Sequence, residues 1–334
     1  MKKALVTGAN GFIGSNLVRH LIQKGWDVCG LLLDGTSKTP LEGLPVQIFY
    51  GNILEPDSVI NAVKEVDVVF HLAALTSDWG PKEKFFLINA TGTKNMLEVS
   101  TNAGVQRFIL TSSIAVHRYS GHLFSDENTP LDCPRDFHYG MSKIEAESAL
   151  REYHQKGKLE GVIIRPALFP FGPNDMTSFY PLARSLEHGY FVFTGGGKSK
   201  LTTAYVENLC EGIYLAAISP EAPGNVYLIG DEKPISWKEL IGLFCRELGV
   251  PPPKISIPSW LADLTGKTFE YFYKTFNLTG TPPVTRYRAS LMAKDLVFVS
   301  QKAKKELGYH PVVTIEEGIR RTVKWYRSIQ YKTD

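Results

Sequence analysis

Near the start of the chain, Thr7-Gly8-Ala9-Asn10-Gly11-Phe12-Ile13-Gly14 places three glycines at a spacing of three. Ala4-Leu5-Val6 before it reads as a buried strand. After it, Ile13, Leu17, Val18, Leu21 and Ile22 recur on one face of a helix. The stretch is therefore a tight turn from strand into helix. Glycine allows such a turn and lets backbone N–H groups come close to a ligand. The helix start adds unpaired donors and a partial positive charge, which suits a pyrophosphate. The spacing Gly-x-x-Gly-x-x-Gly departs from the commoner Gly-x-Gly-x-x-Gly, and a glycine turn also serves simply to pack a helix on a sheet. In a first strand–helix–strand unit it predicts a dinucleotide site.

The segments that follow repeat the alternation. Residues 28–33, 46–50 and 108–110 read as strands, and 56–64 and 85–103 as helices. Residues 66–72 form a nearly unbroken apolar run, as expected of a parallel strand covered on both faces. This predicts an α/β fold, a Rossmann-type doubly wound parallel sheet, with ligands beyond the carboxyl ends of the strands. After Pro173 the alternation loosens. We expect a dinucleotide-binding domain over 1–173, with 201–230 returning to it, and a smaller, interleaved substrate region over 174–334. Residues 195–197, three glycines, read as a flexible hairpin, and 237–248 and 315–328 as amphipathic helices.

Several function classes lose support at once. A formal charge of +3 without a long basic run offers nothing to nucleic acid. Cys29, Cys133, Cys210 and Cys245 lie far apart, with neither metal-ligand nor disulfide spacing, which predicts no metal and a reducing, cytoplasmic setting. The chain enters its first strand directly, so no signal peptide is expected. No apolar run approaches the ~20 residues that span a bilayer.

The predicted strand ends carry the chemistry. Asp34 follows strand two, where an acid commonly holds the adenosine ribose and favours NAD; the lesser reading is a plain loop carboxylate. No arginine stands beside it for a 2′-phosphate, and Lys38 is the nearest cation, so NADP stays open. Leu72-Ala73-Ala74, small residues after strand four, leave room for a cofactor or for close packing. Thr111-Ser112-Ser113 lies at the exit of strand five. Tyr139 and Lys143 are four apart and share a helix face. A free phenol titrates near ~10, too high for a base at neutral pH. A neighbouring ammonium and a cationic nicotinamide are expected to lower it. Serine then holds the substrate oxygen while tyrosine moves the proton.

Together these residues resemble the extended short-chain dehydrogenase/reductase family, also described as NAD-dependent epimerase/dehydratases. The likeness rests on the glycine turn, His71-Leu72-Ala73-Ala74, Asn89-x-x-Gly92-Thr93, Ser112-Ser113, Tyr139-x-x-x-Lys143, Arg165-Pro166, Gly172-Pro173, Tyr205-Val206-Glu207-Asn208 and Leu307-Gly308-Tyr309-x-Pro311, and spans nearly the whole chain. It implies catalytic Ser113, Tyr139 and Lys143. It also implies cofactor contacts at Gly8, Asn10, Gly11, Phe12, Ile13, Gly14, Asp34, Asn52, Ile53, Leu72, Ala73, Ala74, Thr111, Tyr139, Lys143, Pro166 and Leu168, and a homodimer. Gly51-Asn52 replaces the family's usual Gly-Asp, and residues 165–173 are one residue longer than usual.

Within the family, Ala74-Leu75-Thr76-Ser77-Asp78-Trp79-Gly80-Pro81, Ile257-Pro258-x-Trp260 and Thr285-Arg286-Tyr287-Arg288 are similar to the 3β-hydroxysteroid and sterol-4-carboxylate 3-dehydrogenase branch, whose relatives include reductases of 2-alkyl-3-oxo acids. That implies alcohol–ketone conversion on an apolar or carboxylated small molecule. The alternative is a nucleotide-sugar epimerase or dehydratase holding its NAD tightly, and a non-enzymatic dinucleotide sensor fits poorly with an intact Ser-Tyr-Lys set. Leu201 occupies the position where nucleotide-sugar enzymes often carry a phosphate-gripping arginine, with Lys198 and Lys200 close by. Residues 255–276 hold Trp260, Phe269, Tyr271, Phe272, Tyr273 and Phe276. They read first as core of the small region, second as an apolar substrate wall or lid, and third as a membrane-surface helix. Arg286 and Arg288 are surface charges or partners of a substrate carboxylate.

Overall fold

The computed structural model describes residues 2–330. Seven strands form one sheet, β1 (Lys3–Thr7), β2 (Asp27–Leu32), β3 (Gln47–Tyr50), β4 (Val68–His71), β5 (Arg107–Thr111), β6 (Glu160–Pro166) and β7 (Val226–Ile229), in the order β7-β6-β5-β4-β1-β2-β3. Every neighbouring pair runs parallel. Strand order reverses beside β1, so the crevice of the doubly wound sheet opens above β1 and β4. The expected fold class holds. β1, β4 and β5 are buried along nearly their whole length, which is why they read as apolar runs rather than alternating ones.

Helix α1 (Phe12–Gln23) leaves the glycine turn and buries Leu17, Val18 and Leu21. The helix expected over 85–103 is interrupted. An α turn at Lys82–Phe85 passes into a π-helical segment, Phe86–Thr91, before α2 (Gly92–Asn102) resumes. Helix α3 (His138–Gln155) carries Tyr139 and Lys143. Helix α4 (Val206–Ile218) lies against α1, and Leu209, Ile213 and Ala217 share one apolar cluster with Leu17 and Leu21. That cluster continues into α5 (Trp237–Leu248) and α8 (Ile315–Gln330) through Phe244, Ile319, Val323 and Tyr326, so the later residues are welded to the sheet. Helix α5 starts at a Ser236–Glu239 capping box and stops at Gly249, whose φ is +71°.

Beyond the main sheet, the pairing of short strands and the packing of 255–276 refine the sequence reading. Thr203–Tyr205 pairs with Phe169–Phe171 in a separate two-stranded sheet, while Val226–Ile229 joins the edge of the main one. The glycines at 195–197 do not close a hairpin: Phe193–Thr194 pairs with Ser256–Ile257, whereas Lys200–Leu201 pairs with Ile235–Ser236, so the two flanking strands enter different sheets. Residues 255–276 are not core. They form helix α6 (Ser259–Thr275), which buries only Ala262, Gly266 and Glu270. Those three lie four apart, one narrow stripe, and the stripe faces α7 (Arg286–Leu291). A Cβ on Gly266 would come within 2.8 Å of Arg286 N, so the two backbones nearly touch. Trp260, Tyr271 and Phe276 remain more than 60% exposed. No helix among the described residues is long and apolar enough to cross a membrane.

Candidate active site

The glycine turn is held from below by a chain of hydrogen bonds. Thr7 Oγ1 accepts from the N–H groups of Leu72 and Ala73, both at 3.1 Å, which ties the end of β1 to the exit of β4. His71 bridges Thr7 Oγ1 at 2.9 Å and Thr93 Oγ1 at 3.0 Å. Thr93 donates its proton to the Asn89 carbonyl at 2.6 Å, so it accepts from His71 Nε2, and Nδ1 is the acceptor for Thr7. Burial, aided by the charge of Lys143, pushes His71 down to about 3, so the ring is a neutral strut.

Above this strut the backbone is bare. Gly8 has φ +65°, and a Cβ there would meet Ala73 N at 3.0 Å. A Cβ on Gly14 would sit 2.1 Å from Gly8 O, which only glycine avoids. No side chain caps the start of α1. Thr111 Oγ1 is buried with no partner among the described residues. A cradle closed to any Cβ, an uncapped helix start and an orphaned hydroxyl at the β5 exit fit a dinucleotide. The remaining predicted cofactor residues ring the same sheet edge. Asn10 donates to Thr36 Oγ1 and the Ser37 carbonyl, both at 2.9 Å, and closes the loop that carries Asp34. Asp34 is exposed at its tip. Asn52 folds back to accept from Leu54 N at 3.0 Å, and Ile53 is buried beneath Gly92. Phe12 and Ile13 open α1, while Ala74 follows Ala73 on the partly exposed β4 exit. Pro166 ends β6, and Leu168 N donates to the Thr202 carbonyl at 3.1 Å.

The serine pair divides. Ser112 Oγ is buried and donates to Glu147 Oε1 at 2.6 Å. Ser113 is partly exposed, opens the single turn Ile114–Val116, and accepts from Ala115 N at 3.1 Å. Burial pushes the Tyr139 phenol up to about 12, and the neighbouring Ser113 hydroxyl draws it back only in part. Lys143 Nζ donates to the Thr111 carbonyl at 2.8 Å. Burial pulls Lys143 down to about 8, opposed by the charge of Glu147. Desolvation sets the direction of the Tyr139 shift here, so the phenol stands as a neutral O–H donor.

Residues to which the sequence reading gave no role lock this set in place. Asn89, in the π segment, accepts from Leu75 N at 2.7 Å and donates to the Leu75 carbonyl at 3.1 Å and to Ser142 Oγ at 2.9 Å. It fastens the β4 exit to the turn of α3 between Tyr139 and Lys143. Glu147 takes both nitrogens of a buried Arg165 fork, at 2.8 and 2.7 Å. Burial alone would raise its carboxyl, but the hydrogen bonds and charge of Arg165 outweigh that and hold it below the usual range. The sequence does carry a signal for it: Glu147 is four residues beyond Lys143, on the same face.

The far wall of the cleft comes from α6 and α7. Asp78, on the β4 exit loop, accepts from Thr285 Oγ1 at 2.6 Å and from Arg288 Nη2 at 3.0 Å. Arg286 pairs with Glu270 at 2.9 Å and with Asp136 just ahead of α3. Both arginines thus already hold carboxylates of the chain itself, which removes them as partners for a substrate acid. The outer side of α6 forms an apolar groove of about 540 Å³ lined by Leu261, Leu264, Phe269, Phe272, Tyr273 and Leu278. Tyr273 packs edge-on to Trp79 at 6.2 Å between centroids, which joins the groove to the β4 exit loop. All four cysteines are buried and unpaired, and no cluster of metal-binding side chains occurs among the described residues.

Comparison with known proteins bears on the family and the fold. The sequence profile of the NAD dependent epimerase/dehydratase family matches residues 4–230. A 2-alkyl-3-oxoalkanoate reductase of Stenotrophomonas maltophilia is 30% identical over 96% of this chain and 98% of its own length. A decarboxylating sterol-4-alpha-carboxylate 3-dehydrogenase of Mus musculus is 29% identical over 98% of this chain and 92% of its own. The crystal structure of gox2253 superimposes with a TM-score of 0.82 at 28% identity, covering 98% of this chain and 99% of that one.

Proposed function

The chain belongs to the NAD-dependent epimerase/dehydratase family, as an extended short-chain dehydrogenase/reductase, and from that premise we propose that it interconverts a secondary alcohol and a ketone on a 2-alkyl-3-oxo acid or a similar apolar 3-oxo compound. The observation that carries the proposal is the meeting of Ser113, Tyr139 and Lys143 at the β5 exit, beside the stacked rings of Phe137 and Tyr287 and a wall whose arginines are engaged by Asp78, Glu270 and Asp136. A nucleotide sugar needs cations for its pyrophosphate. Leu201, at the position in question, is fully buried.

Each catalytic part follows from its surroundings. Ser113 Oγ and the Tyr139 O–H point two donors at one substrate oxygen. The neutral Tyr139 phenol gives its proton to the oxygen as a ketone is reduced, and in the reverse direction its phenolate takes the proton from the alcohol. Lys143 serves the nicotinamide ribose and balances charge as the phenol loses its proton. Nicotinamide, when bound, supplies or accepts the hydride. Gly8, Gly11 and Gly14 hold the pyrophosphate against the start of α1, and Asp34 selects NAD, with Lys38 the route to NADP. The groove on the outer side of α6 offers further apolar area for an alkyl chain, at roughly 25 cal/mol per Å² buried. Buried thiols agree with a cytoplasmic site of action, and the helices bearing Phe85 and Tyr139 are the proposed homodimer surface.

One observation favours a second reading. Lys198 and Lys294 line an open groove of about 680 Å³ of mixed character, a place where a diphosphate could be gripped. The deciding experiment incubates the protein with NAD or NADP and follows absorbance of the reduced cofactor with 2-alkyl-3-hydroxy acids and hydroxysteroids. In parallel, UDP- and dTDP-sugars are analysed for epimerised or dehydrated product. Turnover of the apolar alcohols is expected. Conversion of a nucleotide sugar alone would replace this reading with the epimerase/dehydratase one.

A further inference from the structure

Beside Tyr139 the cleft holds two more phenols. Tyr119 follows β5 by a loop, and Tyr287 comes from α7. Their rings lie 5.4 Å apart and their hydroxyl oxygens 3.4 Å apart. Phe137 stacks on Tyr287 at 4.4 Å and meets Tyr139 edge-on at 6.1 Å, so a continuous aromatic path links the reacting phenol to the pair. Both rings are partly exposed, as a cleft lining must be. Desolvation raises both phenols well above the ordinary tyrosine value, so each hydroxyl keeps its proton at physiological pH. An oxygen-to-oxygen distance of 3.4 Å is at the outer limit of a hydrogen bond, so the two hydroxyls hold each other weakly.

We infer that the Tyr119 and Tyr287 hydroxyls form a specificity pair that receives the carboxylate carried by the substrate next to its reacting carbonyl. The inference rests on the 3-oxo-acid reading above and narrows it to the free acid. A carboxylate taken into a cleft needs donors on its oxygens, and hydrogen bonds to an ionised acceptor are the stronger kind. Arg286 and Arg288 are not available for it, since each is committed to acids of the chain. Two neutral O–H groups 3.4 Å apart beside Tyr139 are donors of the right spacing. The position of Tyr287 on α7 makes the pair dependent on the Asp78 contact with Thr285 and Arg288, which seats α7 over the β4 exit.

The test uses the full chain loaded with NADH and two stable probes, a 2-alkyl-3-hydroxy acid and its methyl ester, because free 3-oxo acids lose carbon dioxide. Binding is read from the fluorescence of the bound reduced cofactor, so it does not require turnover. The wild-type protein is expected to prefer the acid by roughly tenfold or more. Tyr119→Phe and Tyr287→Phe keep both rings in their stacks and should each cut the acid-to-ester preference by roughly tenfold. In oxidation assays with NAD, the loss should fall on KM for the acid rather than on kcat. NADH affinity serves as the control for folding. Equal binding of acid and ester by the wild type, or an unchanged preference in the double variant, overturns the inference. A preference for the acid without any hydride transfer would instead overturn the proposed reaction and leave the carboxylate pair standing.

Discussion

The two walls of the cleft are fastened in opposite ways. On one side, α3 is pinned by a fully buried pair, with Glu147 gripping Arg165 and Ser112 out of reach of water. On the other, α7 is pinned by partly exposed pairs: Arg286 and Arg288 are 40% and 49% exposed where they hold Asp136 and Asp78. Breaking a buried pair strands a charge in a low-dielectric interior, whereas breaking an exposed one lets water take over. On the proposed mechanism the reacting groups sit on the wall that cannot give, and the Tyr287 ring on the wall that can. Chemistry demands fixed distances, while a family of alkyl chains or ring systems demands some accommodation.

The largest effect should come from the fixed wall. Tyr139→Phe keeps the ring and removes the proton, so turnover should drop about 10²–10⁴-fold while NADH binding stays near normal. A variant that keeps most of its activity would show that the phenol is not the acid. Next, Glu147→Ala should lower unfolding free energy by about 3–5 kcal/mol in urea titrations, because Arg165 is left buried and unpaired. A loss under about 1 kcal/mol would erase the contrast between the walls.

A pH series sharpens the same contrast. Lys143 is held at about 8 by burial, below the range of a free lysine, so it is an ammonium below that pH and neutral above it. Cofactor affinity that depends on the ammonium is fully present at lower pH and is lost as pH rises through that value. The Kd for NADH should be flat below about pH 7 and rise by up to about tenfold per pH unit beyond the Lys143 pKa. Lys143→Met should bind more weakly and lose this slope; a slope that persists would assign it to another group.

The smallest global effect belongs to the adjustable wall. Arg288→Ala should cost about 1 kcal/mol or less of stability, yet raise KM for an apolar alcohol several-fold by loosening α7. A stability loss as large as that of Glu147→Ala would mean that both walls are rigid.

Legibility in the sequence follows the same division. Strands buried on both faces are apolar at every position, so β1, β4 and β5 announce themselves, and the glycines mark the crevice. Ser113, Tyr139 and Lys143 are legible through their spacing and their place after β5. Helix α6 misleads because aromatic residues usually signal burial, and here the narrow stripe of Ala262, Gly266 and Glu270 does the packing while the rings stay outside. Tyr119 and Tyr287 are 168 positions apart, and no local pattern can pair residues that only the tertiary fold brings together.

The six-residue π segment at Phe86–Thr91 has a consequence for how the chain tolerates length changes. A π turn carries one residue more than the α turn it replaces, and each residue advances a helix by ~100°. Asn89 meets both Leu75 and Ser142 only at the present phase. Deleting a single residue between Phe85 and Gly92 would restore an unbroken α-helix with better local geometry, and would swing the Asn89 carboxamide away from the β4 exit. Along this stretch the irregular form is the functional reading frame of the helix, and a more regular protein would be a misassembled one.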